Sequence, residues 1–219
     1  MERTIKVTGI GNISIKPDIT IVSMRISDVL PSYEEALRAS AYVVKLIKDA
    51  IEIAGIKRET LKTKYFNVDT HYESYYDENK NHRSRLDGYE YSQDLKFEFD
   101  IDNKMLGRIL YELSQIHSVF PRITIGYGIK DTESAKNKLL ASAIKDAKVK
   151  VSVIAEAAGV SLGDIIDINY SWIDVEFSSR LFSFDAMKCS AVPSESIDVD
   201  IEPDDIRRSD NVTITYKIN

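Results

Sequence analysis

The sequence predicts an α+β fold: a mostly antiparallel sheet of about eight strands packed against three helices. Three observations carry that expectation. Apolar and polar residues alternate in several short segments, the mark of strands with one buried and one wet face. Three longer segments repeat apolar residues at helical spacing. Gly55 and Gly159 follow the first and last of these, where glycine commonly ends a helix.

The chain opens on strands. Ile5, Val7, Ile13 and Ile15 share one face, with Gly9 and Gly11 in phase between them. Glycine inside a strand marks a bulge or a close backbone approach. Lys16-Pro17-Asp18 joins this strand to the next, because Pro17 cannot donate a ladder hydrogen bond. In the second strand Val22, Met24 and Ile26 take one face and Ile19 and Ile21 the other, so that end is expected to be covered on both sides.

Ser32 and Glu35 form a capping-box pattern ahead of a first helix. Its apolar stripe is Ala36, Leu37, Ser40, Val43, Val44, Ile47, Ala50, Ile51 and Ala54. Residues 61 to 72 read as a strand with Phe66, Val68 and Tyr72 in phase, and residues 73 to 87 as a polar, mobile loop. Tyr89, Tyr91, Leu95, Phe97, Phe99 and Ile101 then alternate with polar residues in the clearest strand of the chain. A helix from about Asn103 to His117 and a strand through Ile123, Ile125, Tyr127 and Ile129 follow.

Asp131 caps the longest helix, whose inward stripe is Ala135, Leu139, Ala143, Ala147, Val151 and Ile154 or Ala155. Its small residues suit close packing. Ile166, Ile168, Tyr170 and Trp172 suggest a further strand, and 176 to 193 a loop. Two last strands set Ile197, Val199 and Ile201 with Val212, Ile214, Tyr216 and Ile218. The whole of 1–219 reads as one domain, with variable loops at 73–87 and 176–193.

A formal net charge of -6 argues against nucleic acid as a partner, because phosphate binding needs a concentrated basic face. No apolar run approaches the roughly 18 residues that suggest a membrane span. Met1-Glu2-Arg3 shows no export signal, so the chain as it stands is expected in the cytoplasm; a mature or trimmed form would be periplasmic or envelope-associated. Cys189 is the single cysteine, which excludes an intramolecular disulfide and a multi-cysteine metal site.

Several motifs in shared order resemble the SIMPL-domain family of bacterial proteins. They are Val7-Thr8-Gly9-Ile10-Gly11 with Lys16-Pro17-Asp18, the cap Ser32-Tyr33-Glu34-Glu35-Ala36, and Gly88-Tyr89 after a variable loop. Ala143 to Lys148, Ala157-Ala158-Gly159-Val160, Ile201-Glu202-Pro203 and Val212-Thr213-Ile214-Thr215-Tyr216 complete the set. The resemblance implies an α+β domain without established catalytic activity, often exported, with some members forming large homo-oligomers. It names no cofactor.

Each candidate site has a plainer interpretation beside it. His71, Asp77, Glu78 and His82 could be drawn as metal ligands, but a polar loop offers no rigid supporting shell. His117 suits a helix C-terminus without any catalytic duty. Asp198, Asp200, Glu202, Asp204 and Asp205 lack the glycine turn and oxygen spacing of a calcium loop. Lys136, Lys138, Lys145, Lys148 and Lys150 are interspersed with acidic residues, as on a solvated face.

Gly9 and Gly11 are followed by a strand, which rules out a nucleotide loop. The apolar cluster Phe177, Leu181, Phe182, Phe184 and Met187 is the favoured contact surface between subunits. The expectation is therefore a non-enzymatic, self-assembling or interaction protein, with no catalytic, cofactor or metal residues. The alternative is a small-molecule-binding module or an unrecognised enzyme with a pocket near Tyr65, His71, Tyr89 and Tyr91.

Overall fold

A computed structural model describes residues 3–116, 121–170, 176–179, the backbone of 182–185, and 200–219. The strands are β1 (Thr4–Ile15), β2 (Ile19–Leu30), β3 (Lys62–Tyr76), β4 (His82–Asp100), β5 (Arg122–Gly128), β6 (Leu162–Asn169), β7 (Phe182–Asp185) and β8 (Ile206–Ile218). The helices are α1 (Tyr33–Ile53), α2 (Asn103–Ser114) and α3 (Thr132–Ala158), with a short 3-10 turn at Arg58–Thr60. The α+β class holds. The strands divide into two sheets, of order β1-β8-β6 and β3-β4-β2-β5-β7.

The chain forms two compact units. The first comprises Met1–Asp18, Gly128–Ser179 and Pro203–Asn219; the second comprises Ile19–Tyr127 and Arg180–Glu202.

In the first unit β8 is the central strand, antiparallel to β1 over an unbroken register from Thr4↔Lys217 to Ile15↔Ile206. That continuity decides between the two roles open to Gly9 and Gly11: there is no bulge there. A Cβ on Gly9 would lie 2.1 Å from the Ala143 carbonyl oxygen, and one on Gly11 would lie 2.3 Å from that of Leu139. The glycines let the α3 backbone rest directly on the strand. Ala143, Ala147 and Val151 fill the rest of that contact with Val7, Val212, Ile214 and Tyr216. Ala155, not the exposed Ile154, completes the buried stripe.

Local chemistry holds α3 at both ends. The Asp131 carboxylate accepts the Ser134 N–H at 2.9 Å, and Gly159 closes the helix with φ 66°.

In the second unit α1 and α2 cover one face of the five-stranded sheet. The Ser32 hydroxyl accepts the Glu35 N–H at 3.2 Å, as the capping pattern predicts. Asp102 caps α2 by accepting from Lys104 and Met105 N–H groups. Val22, Met24, Ile26, Tyr91, Leu95 and Phe97 form the sheet side of the core, against Ala36, Val43, Ile47 and Ile51 of α1. Gln93 breaks that apolar stripe yet is buried. Its carbonyl accepts the Ser40 hydroxyl at 2.8 Å and its amide donates to Thr63 at 3.0 Å, so the polar group is satisfied.

Four local expectations need correction. The proposed 73–87 loop is mostly strand: β3 runs to Tyr76 and β4 begins at His82, leaving a tight turn at 77–81. The cause is cross-strand pairing of Tyr72 to Leu86 and Glu73 to Arg85, which a polar composition conceals. Secondly, the strand expected through Ile166, Ile168, Tyr170 and Trp172 is present but ends at Asn169, with Trp172 outside the described residues. β6 shifts register on either side of Ile165, and both isoleucines are about half exposed. Thirdly, β8 pairs with β1 and β6 rather than with a strand at 197–201. Asp200 and Ile201 have no regular structure, and 197–199 lie outside the described residues. Fourthly, the expected 176–193 loop contains strand β7, which pairs with β5 from Arg122↔Asp185 to Ile125↔Phe182.

Candidate functional site

Four strands are outermost in their sheets, β1 and β6 in one and β3 and β7 in the other, and side chains are described for the first three. The free side of β1 is closed by side chains from α3. Asp146 accepts the Ile10 N–H at 2.6 Å, Ser142 accepts the Asn12 N–H at 3.3 Å, and the Lys150 ammonium reaches the Thr8 carbonyl at 3.4 Å. Asp146 also pairs with Lys150 at 2.7 Å. The Lys150 contact first, and the Ile10 N–H second, hold the Asp146 carboxyl below its usual range. Sequence reasoning left Asp146 and Lys150 on a solvated face. The signal was their spacing: Ser142, Asp146 and Lys150 each precede a residue of the buried stripe.

β6 is different. Ile165, Ile166 and Ile168 are each about half exposed on the outer strand of the three-stranded sheet.

β3 and β4 extend as a two-stranded arm. Residues directly opposite in antiparallel strands share a face, so Tyr72, Ser74, Tyr76, His82, Ser84 and Leu86 line one side. The other side carries Glu73, Tyr75, Arg83 and Arg85. There Glu73 and Arg85 pair at 2.6 Å, with the Arg85 guanidinium 5.6 Å from the centre of the Tyr75 ring. The turn is built by Asp77, whose carboxylate accepts N–H groups of Asn79 at 3.0 Å and Asn81 at 2.9 Å. Its second oxygen accepts from Arg83 at 3.1 Å. The Asn81 and Arg83 bonds, in that order, lower the Asp77 pKa. One side of the arm is thus internally charge-paired, while the other carries no permanent charge.

The four residues of the expected pocket do not converge. Tyr65 stands opposite Asp94 and His71 opposite Gly88, on the sheet face that carries the Arg25–Asp94 pair. Tyr89 and Tyr91 point to the opposite face, where Tyr91 is fully buried and Tyr89 meets Tyr33 edge-on at 6.0 Å. Burial, with a smaller contribution from Asp28, pushes the Tyr91 hydroxyl up to about 12. A depression of about 360 Å³ lies elsewhere, lined by Asn12, Ile13, Ser14, Arg207, Arg208 and Ser209.

The residues that could be drawn as metal ligands are also engaged separately. His71 lies 3.6 Å from Glu90 and 3.9 Å from Asp87, Asp77 builds the turn, and His82 stacks edge-on against Tyr76. In the acidic run, Asp205 accepts the Ser14 hydroxyl at 2.9 Å, and Asp198 lies outside the described residues. Among the described residues no group of three or more His, Cys, Asp or Glu is placed to hold a metal. Cys189, His117 and Trp172 lie outside them.

Of the expected contact cluster, Phe177 faces inward. It is buried with Ile129, Ala135, Leu139 and Ile206. Arg208 holds its neighbours in place by donating to the carbonyls of Glu176, at 2.6 Å, and Ser178. Phe182 and Phe184 stand in β7, opposite Ile125 and Ile123. Leu181 and Met187 lie outside the described residues.

The fold and these surfaces define a class: an α+β protein of antiparallel, helix-covered sheets whose distinctive features are outer strands. The chain belongs to the SIMPL family, described as "Protein of unknown function (DUF541)", whose model matches residues 5–216. It is similar to the 26 kDa periplasmic immunogenic protein of Brucella melitensis biotype 1, at 28% identity over 174 residues. A protein of the same name from Brucella abortus is 27% identical over 174 residues. Each match covers 75% of this chain and 65% of the relative, so the chain spans about two thirds of the length of these relatives. Among the described residues no helix is long and apolar enough to cross a membrane.

Proposed function

We propose that this SIMPL protein is a non-enzymatic, self-associating interaction protein whose contacts are made by its outer strands. The observation that carries the proposal is the contrast between them. The free side of β1 is closed by three side chains of α3, whereas β6 presents three half-exposed isoleucines and the β3–β4 arm an uncharged aromatic side. Exposed apolar strands at a sheet edge favour association with another chain. The segment of Phe182 and Phe184 belongs to the same proposal as a secondary contact. A periplasmic or envelope location is part of it too, supported by the printed name of the two relatives.

Sedimentation velocity of the full chain at high micromolar concentration tests this. A species heavier than one chain of 24.8 kDa is expected, and a substitution of Phe182→Ser with Phe184→Ser weakens it. A single species of one-chain mass would overturn the proposal.

A further inference from the structure

We infer that β3 is the surface on which a second copy of this chain docks: β3 of one copy pairs antiparallel with β3 of another, joining two five-stranded sheets. The inference rests on the self-association proposed above and names its surface.

β3 is the outermost strand of its sheet, and among the described residues its backbone ladder runs to β4 alone. It is long, from Lys62 to Tyr76, and contains neither proline nor glycine. Nearly every residue on it is exposed. Natural sheets usually blunt such an edge with proline, edge charges (lysine above all), a bulge, an inward charge or a covering element, and the lysines of β3, Lys62 and Lys64, both lie at its start. This chain covers its β1 edge with α3 side chains, and on β3 it places a bulge only at the first residues. Thr63 faces Leu95 and Tyr65 faces Asp94, so Lys64 is the extra residue. Beyond Lys64 the one remaining irregularity, between His71 and Tyr72, places its extra residue, Asp87, on β4. The free side of β3 therefore runs without interruption from Tyr65 to Tyr76.

Two arguments select a second copy as the occupant, in antiparallel orientation. The first is charge. Lys62 and Lys64 lie at one end of β3, while Asp69 and Glu73 lie toward the other. Antiparallel pairing centred near Asn67 sets Lys62 and Lys64 opposite Tyr72 and Thr70 of the other copy, next along the strand to its Glu73 and Asp69. Parallel pairing in register would set like charges together, which is unfavourable across strands.

The second argument is area. Tyr65, Phe66, Tyr72, Tyr75 and Tyr76 are between 42% and 73% exposed. They stand on both faces of the strand, so edge-to-edge pairing covers only the part of each that meets its cross-strand neighbour, and the contact belongs among the small interfaces below roughly 1,200 Å². The ladder adds to it by pairing N–H and C=O groups that otherwise face solvent.

The test is cysteine cross-linking of the full chain in a Cys189→Ser background. Single substitutions Tyr65→Cys, Asn67→Cys and Asp69→Cys bracket the expected two-fold axis, and Ile10→Cys on β1 is the control. At least one of the three should give a disulfide-linked dimer on mild oxidation, since a self-paired position brings its Cα atoms within roughly 4.4–6.8 Å. The control should not. Separately, Asn67→Lys and Tyr72→Lys should each raise the dissociation constant by about tenfold or more, with unchanged far-ultraviolet circular dichroism. An oligomer that forms no cross-link at the three positions, and whose mass ignores both lysine substitutions, overturns the β3 pairing but leaves self-association standing. A wild-type chain that stays monomeric overturns both.

Discussion

The carboxylate of Asp146 accepts the backbone N–H of Ile10 at 2.6 Å, so a helix side chain completes a hydrogen bond that the outer strand would otherwise offer to another chain. The same carboxylate is held by Lys150, and the depressed pKa of Asp146 follows from both contacts. The sign of the pH dependence is set by that depression. The charged form is favoured in the folded state, so its stabilisation is fully present above the ordinary carboxylate pKa of about 3.9 and is lost as pH falls through the lower folded value. Urea midpoints measured through the acid range should fall more steeply for the wild-type chain than for Asp146→Asn. Equal slopes would show that the contact contributes nothing.

Gly9→Ala should be among the most damaging single substitutions in the chain. Its new Cβ would lie 2.1 Å from the Ala143 carbonyl oxygen and 2.5 Å from the Ala147 nitrogen, so the backbone of α3 must move. Overpacking typically costs about 1–3 kcal/mol, and a contact with backbone atoms puts this site at the upper end. Gly159→Ala is the informative comparison: it meets nothing within 4 Å among the described residues, and its cost is that of the left-handed backbone, about 1 kcal/mol. Denaturant unfolding of both variants checks the order.

Asp77→Ala should loosen the arm without unfolding the protein. The carboxylate holds the turn through the N–H groups of Asn79 and Asn81 and through Arg83. Hydrogen exchange of amides from Tyr72 to Leu86 should speed up while the global unfolding midpoint stays put. Unchanged exchange would mean that the strand ladder alone defines the arm.

Tyr91→Phe should be neutral or stabilising, by up to about 1 kcal/mol, because its buried hydroxyl has no hydrogen-bond partner among the described residues. In contrast, Gln93→Leu leaves the buried Ser40 hydroxyl without its acceptor and should cost roughly 1–3 kcal/mol. Thermal or denaturant melts of the two variants should move in opposite directions or, at the least, differ clearly.

The helices were legible in the sequence because their signals are local. Ser32, Asp131 and Gly159 act within one turn, and the α3 stripe from Ala135 to Val151 is a simple period. The close approach at Gly9 and Gly11 was half legible: the glycines announced it, but only the unbroken register with β8 excluded a bulge. Strand partners were not legible, since nothing local in Val212 to Tyr216 says that β1 and β6 flank it. The β3–β4 arm was hidden for a related reason. Cross-strand pairs such as Glu73 with Arg85 stabilise a ribbon that has no apolar alternation to betray it. Phe177 shows the opposite failure. An apolar residue in an irregular segment suggested a contact surface, and a clasp from the distant Arg208 turned it into core.

The central claim is that this chain associates with itself, and its mass in solution tests that most directly. Light scattering on the full chain over a dilution series should give a multiple of 24.8 kDa at high concentration, falling toward 24.8 kDa on dilution. A mass of 24.8 kDa at every concentration would contradict the account.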